Sequence, residues 1–74
     1  MWRKGTLYIK GIVLSYSAKV YDEGSEFGIN NGRISKLEIR KDGELILNYD
    51  RGWDIKPEGD IAETALLMIL DYFK

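Results

Sequence analysis

Ile34-Ser35-Lys36-Leu37-Glu38-Ile39-Arg40-Lys41-Asp42-Gly43-Glu44-Leu45-Ile46-Leu47-Asn48-Tyr49-Asp50 is the stretch on which the fold turns. Apolar residues recur at alternate positions on both sides of Lys41-Asp42-Gly43, a period that belongs to half-buried strands. Asp-Gly between two such runs marks a hairpin. Two registers compete. A two-residue Asp42-Gly43 loop sets Leu37 opposite Asn48 and Glu38 opposite Leu47, mixing the faces. A three-residue Lys41-Asp42-Gly43 loop pairs Ile39 with Leu45, Leu37 with Leu47 and Ser35 with Tyr49. A slip of one residue turns every side chain to the other face, so the apolar pattern selects the second register. It predicts strands over residues 34–40 and 44–50, with Gly43 in the left-handed position of a type I turn with a G1 bulge.

Upstream, Ile12, Leu14, Tyr16, Ala18 and Val20 share one face of a second alternating run, and Ser15, Ser17 and Lys19 take the other. Leu7 and Ile9 alternate with Thr6, Tyr8 and Lys10. A two-residue Lys10-Gly11 turn pairs Ile9 with Ile12 and Leu7 with Leu14, so the apolar faces of a first hairpin coincide. Between the hairpins, residues 22–32 hold three glycines and two asparagines, a composition for irregular turns. Phe27 and Ile29 are expected to tuck inward and make this a compact loop.

Downstream, Arg51-Gly52-Trp53-Asp54 reads as a turn leading away from the sheet. Pro57 follows, and Asp60 with Glu63 forms a variant capping box that starts a helix running to about Phe73. At about 100° per residue, Ile61, Ala62, Ala65, Leu66, Met68, Ile69, Leu70, Tyr72 and Phe73 cover an arc of roughly 200°. A helix resting on one sheet needs a stripe nearer 100° wide. Leu67 lies outside even the wide arc, beside Glu63 and Lys74. The predicted fold is therefore α+β: a four-stranded antiparallel sheet of two hairpins, with one C-terminal helix packed on one face, in a single domain over residues 1–74.

Seventy-four residues bury only about 60% of their unfolded surface, so such a domain needs good packing or a partner chain. There is no Cys and no His, which removes disulfides, soft metal sites and the familiar nucleophile–base pairs. No cofactor motif is present. Asp50 and Asp54 are candidate paired carboxylates, but their plain reading is turn-forming, solvated acids. A non-enzymatic protein is expected. No apolar stretch approaches the roughly 20 residues that span a bilayer, and Gly5, Lys10 and Gly11 interrupt any secretion-signal core, so a cytoplasmic home is the expectation.

Net charge is −1, yet residues 1–41 carry eight Lys/Arg against four Asp/Glu, and residues 42–74 carry three against eight. If the halves occupy different regions of the fold, the molecule is strongly dipolar and its field steers association. Antiparallel pairing of the halves would instead interleave the charges and average them away. On the sheet face away from the helix we expect Tyr8, Val13, Ser15, Ser17, Lys19, Tyr21, Ile34, Lys36, Glu38, Arg40, Ile46 and Asn48. Tyr8, Lys19, Tyr21, Lys36 and Arg40 among them are the candidate nucleic-acid face, since basic residues with interleaved tyrosines suit stacked single-stranded bases. Arg33, after Asn30-Asn31-Gly32, is a candidate counter-charge for an anion held by that loop, against a plain structural turn. Arg51, Trp53 and Asp54 form a cluster rich in hot-spot residue types. The competing reading of Trp53 is a side chain closing one end of the core.

Three blocks carry a family resemblance: Ala18-Lys19-Val20-Tyr21-Asp22-Glu23-Gly24-Ser25-Glu26-Phe27-Gly28-Ile29, Gly32-Arg33-Ile34-Ser35-Lys36-Leu37, and Tyr49-Asp50-Arg51-Gly52-Trp53-Asp54. Together they resemble an uncharacterised family of small proteins from phages and mobile elements of Gram-positive bacteria. The resemblance implies an accessory protein that binds a host or phage protein, in some cases inhibiting host defence. It transfers no catalytic residue. The leading expectation is thus a homodimeric protein-binding module. Its partner surface would draw on Arg33, Arg51, Trp53 and Asp54, and its dimer interface on Ile61, Leu67, Met68 and Leu70. The alternative is a small nucleic-acid-binding accessory protein.

Overall fold

The computed structural model describes residues 1–74. Five antiparallel strands, not four, form one sheet in the order of the chain: β1 (Trp2–Ile9), β2 (Ile12–Val20), β3 (Ile34–Lys41), β4 (Glu44–Asp50) and β5 (Trp53–Ile55). A 3₁₀ turn at Ile29–Asn31 lies between β2 and β3, and the helix α1 (Gly59–Tyr72) ends the fold. A meander needs only short connections, so each strand pairs with its sequence neighbour.

The first hairpin has the expected register, with Ile9 opposite Ile12 and Leu7 opposite Leu14. Lys10 and Gly11 both take positive φ, at 52° and 78°, as a type I′ turn requires. The second hairpin differs from expectation in its turn and register. Asp42 and Gly43, at φ 51° and 82°, make a two-residue turn of the same kind, closed by Lys41 opposite Glu44 and Arg40 opposite Leu45. A bulge then shifts the pairing, so that Ile39 faces Leu47 and Leu37 faces Tyr49. The bulge resolves the conflict between turn chemistry and face pattern. Asp-Gly takes its preferred tight turn, and one extra residue in β4 restores a common apolar face. Ile46 leaves the outer face for partial burial against the core.

A second bulge falls between β2 and β3, where Lys19 faces Lys36 but Val20 faces Ile34. Ser35 is the extra residue. Ile34, expected on the outer face, is consequently buried in the core. The stretch read as a departing turn instead reverses tightly at Asp50-Arg51-Gly52, where the Asp50 N–H donates to the Gly52 carbonyl at 2.8 Å. The chain returns as β5, Trp53 opposite Tyr49 and Ile55 opposite Asn48. This gives the exposed backbone of β4 a hydrogen-bonding neighbour, a need that side-chain patterns do not display.

The loop between the hairpins is compact, as expected, but only half of its expected anchor is inside. Ile29 is buried and Phe27 is 53% exposed. The loop holds itself by its own backbone: Ser25 N–H donates to Gly32, Asn31 N–H to Gly28 and Gly32 N–H to Ile29. Gly28 lies so close to Gly32 that a Cβ there would overlap its carbonyl oxygen. The Tyr49 hydroxyl donates to the Phe27 carbonyl at 2.9 Å and ties the loop to β4.

The core joins Leu14, Ala18, Leu37, Ile39 and Leu47 of the sheet to Ala65 and Ile69 of α1. Ile61, Leu66, Leu70 and Phe73 pack partly buried around it, and Tyr16 meets Phe73 edge to face at 6.2 Å between ring centres. The helix starts without the expected capping box. Its N-cap is Glu58, no side chain caps it, and Gly59 at φ 82° turns the chain into it. Asp60 instead lies 3.8 Å from Lys10. No helix is long and apolar enough to cross a membrane.

Candidate functional site

Because β2 and β3 are neighbours, their alternate residues on the face opposite the helix stand in one row. Lys19 and Lys36 are direct cross-strand partners. Like charges so placed repel. The bulge at Ser35 and the compact loop wall off one end of this row and create a cleft of about 440 Å³. Lys19, Lys36 and Arg51 bring cations to it, Tyr21 and Phe27 bring ring surface, and Glu23 is the one acid on its wall.

Three sequence elements position these groups. The Tyr21 N–H donates to the Arg33 carbonyl at 2.9 Å, extending β2 past its last paired residue. Arg51 N–H donates to the carbonyl of the bulged Ser35 at 2.9 Å, which docks the β4–β5 turn on β3. Arg51 also takes φ 56°, a left-handed conformation rare outside glycine, asparagine and aspartate. Phe27 follows Ser25, whose hydroxyl accepts the Phe27 N–H at 3.2 Å.

The Lys19 ammonium lies 5.4 Å from the centre of the Tyr21 ring. Hydrogen bonding toward Lys19 holds the Tyr21 phenol below its usual 10.0. Burial opposes this, while the Lys19 charge, the Ser35 hydroxyl and the Lys36 charge add to the lowering. Asp50 approaches both Lys36, at 3.8 Å, and Arg51, at 3.7 Å. All three side chains are more than a third exposed, so these contacts are weak and displaceable. The Lys36–Asp50 and Lys10–Asp60 contacts also join the basic and acidic halves of the chain, which interleaves their charges.

Four expected site residues, Lys19, Tyr21, Lys36 and Arg51, thus converge on one cleft. The others lie elsewhere. Tyr8 is exposed near the hairpin end of edge strand β1, opposite Val13. Arg40 is paired with Glu38 at 3.4 Å and donates to the Gly43 carbonyl. Arg33 donates to the carbonyls of Tyr21 (2.8 Å) and Lys74 (3.1 Å), binding the loop to β2 and to the end of the helix. Asn31 and Gly32 turn their N–H groups to carbonyls of their own loop. Trp53 packs on the core, edge to face with Tyr49 at 5.0 Å, and Asp54 accepts a hydrogen bond from Asn48 Nδ2 at 3.3 Å.

Phe27, Glu23 and Ser25 were not singled out as site residues. The sequence places all three in the glycine-rich loop and in the first resemblance block, and reads Phe27 as an inward anchor of the loop. Trp2 is a further omission: it pairs with Lys19 and borders a neighbouring concavity with Lys36 and Asp50.

A second surface lies on the other side of the molecule. Leu67, Met68 and Tyr72 of α1 are 66%, 41% and 75% exposed. Met68 and Tyr72 line an apolar groove of about 320 Å³ with Leu7 of β1 and Tyr16 of β2. The other expected interface residues, Ile61 and Leu70, are half-buried against the protein's own core.

Meander sheet, single covering helix and cationic cleft together define a small α+β protein. The chain matches, over residues 1–74, the domain of unknown function DUF7678, and it belongs to that family. No curated protein and no solved structure matches it.

Proposed function

We propose that this protein is a non-enzymatic, protein-binding module that works as a homodimer through the free flank of α1. The observation behind this reading is the exposure of Leu67, Met68 and Tyr72 beside the groove against β1. Only 15 of 74 residues are buried, a small core with no covalent staple, which a second copy would extend. Charge favours a second copy as the occupant. Arg3 and Lys4 are the only charged residues of β1, and Asp60, Glu63 and Asp71 the only ones of α1. Arg3 pairs with the buried Ala18 and so lies on the helix side, whereas Lys4 pairs with Ser17 on the outer face. A two-fold axis would set the acidic helix of one copy beside Arg3 of the other.

The three sequence blocks support an accessory protein of a phage or mobile element that binds a host or phage protein, inhibition of a host defence protein being one form such binding takes. Gly5, Lys10 and Gly11, which interrupt any secretion-signal core, support a cytoplasmic location. Arg51, whose side chain is largely exposed at the cleft and touches only Asp50, at 3.7 Å, is the strongest contributor to such a contact among Arg33, Arg51, Trp53 and Asp54. Single-stranded nucleic acid running along the whole outer face is the weaker reading, because Glu38 stands between Lys36 and Arg40 and pairs with Arg40.

Sedimentation velocity across the micromolar range tests the dimer. Wild type is expected to sediment as a dimer at the upper end, and Leu67→Glu as a monomer. A wild-type monomer at every concentration removes the reading.

A further inference from the structure

We propose that the cleft between β2, β3 and the 21–33 loop binds a nucleotide, its phosphate held by Lys19, Lys36 and Arg51 and its base stacked on Tyr21 or Phe27. This inference is independent of the dimer, whose surface lies on the opposite side of the sheet.

Three observations carry it. The first is the direct pairing of Lys19 with Lys36. Two ammonium groups across adjacent strands repel in the empty protein, and a bound anion converts that repulsion into attraction to a shared charge. The second is Arg51. Its left-handed backbone at φ 56° is a conformation usually left to Gly or Asn, and the residue lines the same cleft as the two lysines. A guanidinium there can grip phosphate with two parallel N–H donors. Asp50 partly neutralises Lys36 and Arg51, but at 3.8 and 3.7 Å among exposed side chains it is a competitor that phosphate can displace.

The third observation is the ring surface. Tyr21 and Phe27 line the cleft while 46% and 53% exposed, so ring surface is open to solvent there, although the Lys19 ammonium lies over one face of Tyr21. Base–aromatic stacking needs such surface and is tolerant of sequence. A volume of about 440 Å³ lies within the range of small-ligand sites. It suits one nucleotide, free or at the end of a strand, better than a polymer laid across the sheet. Beyond the cleft, the Glu38–Arg40 pair interrupts the cationic track.

The test is a titration of the ¹⁵N-labelled protein, followed by NMR, with adenosine monophosphate, inorganic phosphate, a short oligothymidylate and a phosphotyrosine peptide. Saturable shifts are expected at Lys19, Tyr21, Phe27, Lys36 and Arg51, and weaker binding when salt rises from roughly 50 to 200 mM. Lys19→Gln with Lys36→Gln should weaken adenosine monophosphate about tenfold or more. Removing two like charges from an exposed pair should leave the fold intact. Tyr21→Ala with Phe27→Ala should weaken the nucleotide and leave inorganic phosphate unchanged, which a general charge effect would not do. Comparable affinity for monophosphate and oligomer identifies a free nucleotide as the ligand, and a much tighter oligomer identifies a strand end. The proposal is overturned if millimolar nucleotide gives no saturable shifts at the cleft, if the lysine variant binds undiminished, or if the phosphopeptide alone saturates the site.

Discussion

At the scale of single residues, Tyr21 and Gly28 show how much a neighbour changes a side chain's properties. Tyr21 has a phenol lowered from 10.0, with Lys19 as the main cause. Its ionised form is favoured in the folded protein, so between the lowered value and about 10 the folded state binds fewer protons than the unfolded one. The contribution of Tyr21 to stability therefore rises with pH through that window. Absorbance titration of tyrosinate, with Tyr21→Phe as the difference reference, should place this residue below ordinary tyrosine, and Lys19→Gln should move it up. An unmoved titration in Lys19→Gln would show that the lysine is not the cause. Gly28 offers a stability test. A methyl group there collides with the Gly32 carbonyl, whereas one at Gly52 meets nothing within 4 Å. Gly28→Ala should cost about 1–3 kcal/mol in urea unfolding, the range for overpacking, and Gly52→Ala should stay within about 0.5 kcal/mol of wild type. The difference between them cannot be read from a string in which both positions are simply glycine.

At the scale of elements, the two hairpins separate what local chemistry settles from what it leaves open. Lys10-Gly11 and Asp42-Gly43 form the same two-residue turn. The first has matching faces, so its register was legible. The second needs a bulge to bring Leu37, Ile39, Leu47 and Tyr49 to one side, and alternation alone assigned the correct face with the wrong partners. Parity is a property of one strand, whereas a bulge belongs to a pair. Lys10→Asn should stabilise the protein by about 0.5 kcal/mol, since asparagine tolerates the left-handed position better. Loss of the exposed contact to Asp60 should offset little of that. Thermal unfolding decides the sign. The 21–33 loop depends on the hydrogen bond from the Tyr49 hydroxyl to Phe27. Tyr49→Phe should cost about 1 kcal/mol and speed amide exchange in the loop more than in the sheet. Equal protection in both variants would mean that the backbone bonds of the loop suffice without that tether.

For the whole molecule, the question is which surfaces are left over once the core is closed. Ala62, Ala65 and Ile69 point into that core, and Leu67, Met68 and Tyr72 do not. In a solvated monomer Leu67→Glu should shift stability by less than about 0.5 kcal/mol. Under a partner copy it should abolish dimerisation, because an unpaired carboxylate would be buried in an apolar contact. Urea unfolding at two protein concentrations tells the cases apart: a dimer's midpoint rises with concentration, and the variant's does not. Leu37→Ala, a cut in the fully buried core, should cost about 2–5 kcal/mol at either concentration.

By itself the amino-acid order established an α+β domain of antiparallel hairpins with one terminal helix, the first hairpin's register and the apolar face of each long strand. Those follow from periodicity and turn chemistry, which act over a few residues. Only the folded chain settled the fifth strand, the three register shifts, the inward turn of Ile34 and Trp53, and the meeting of Lys19, Tyr21, Lys36 and Arg51 at one cleft. Each of these depends on backbone partners or neighbours distant in sequence, and such partners exist only after strands pair.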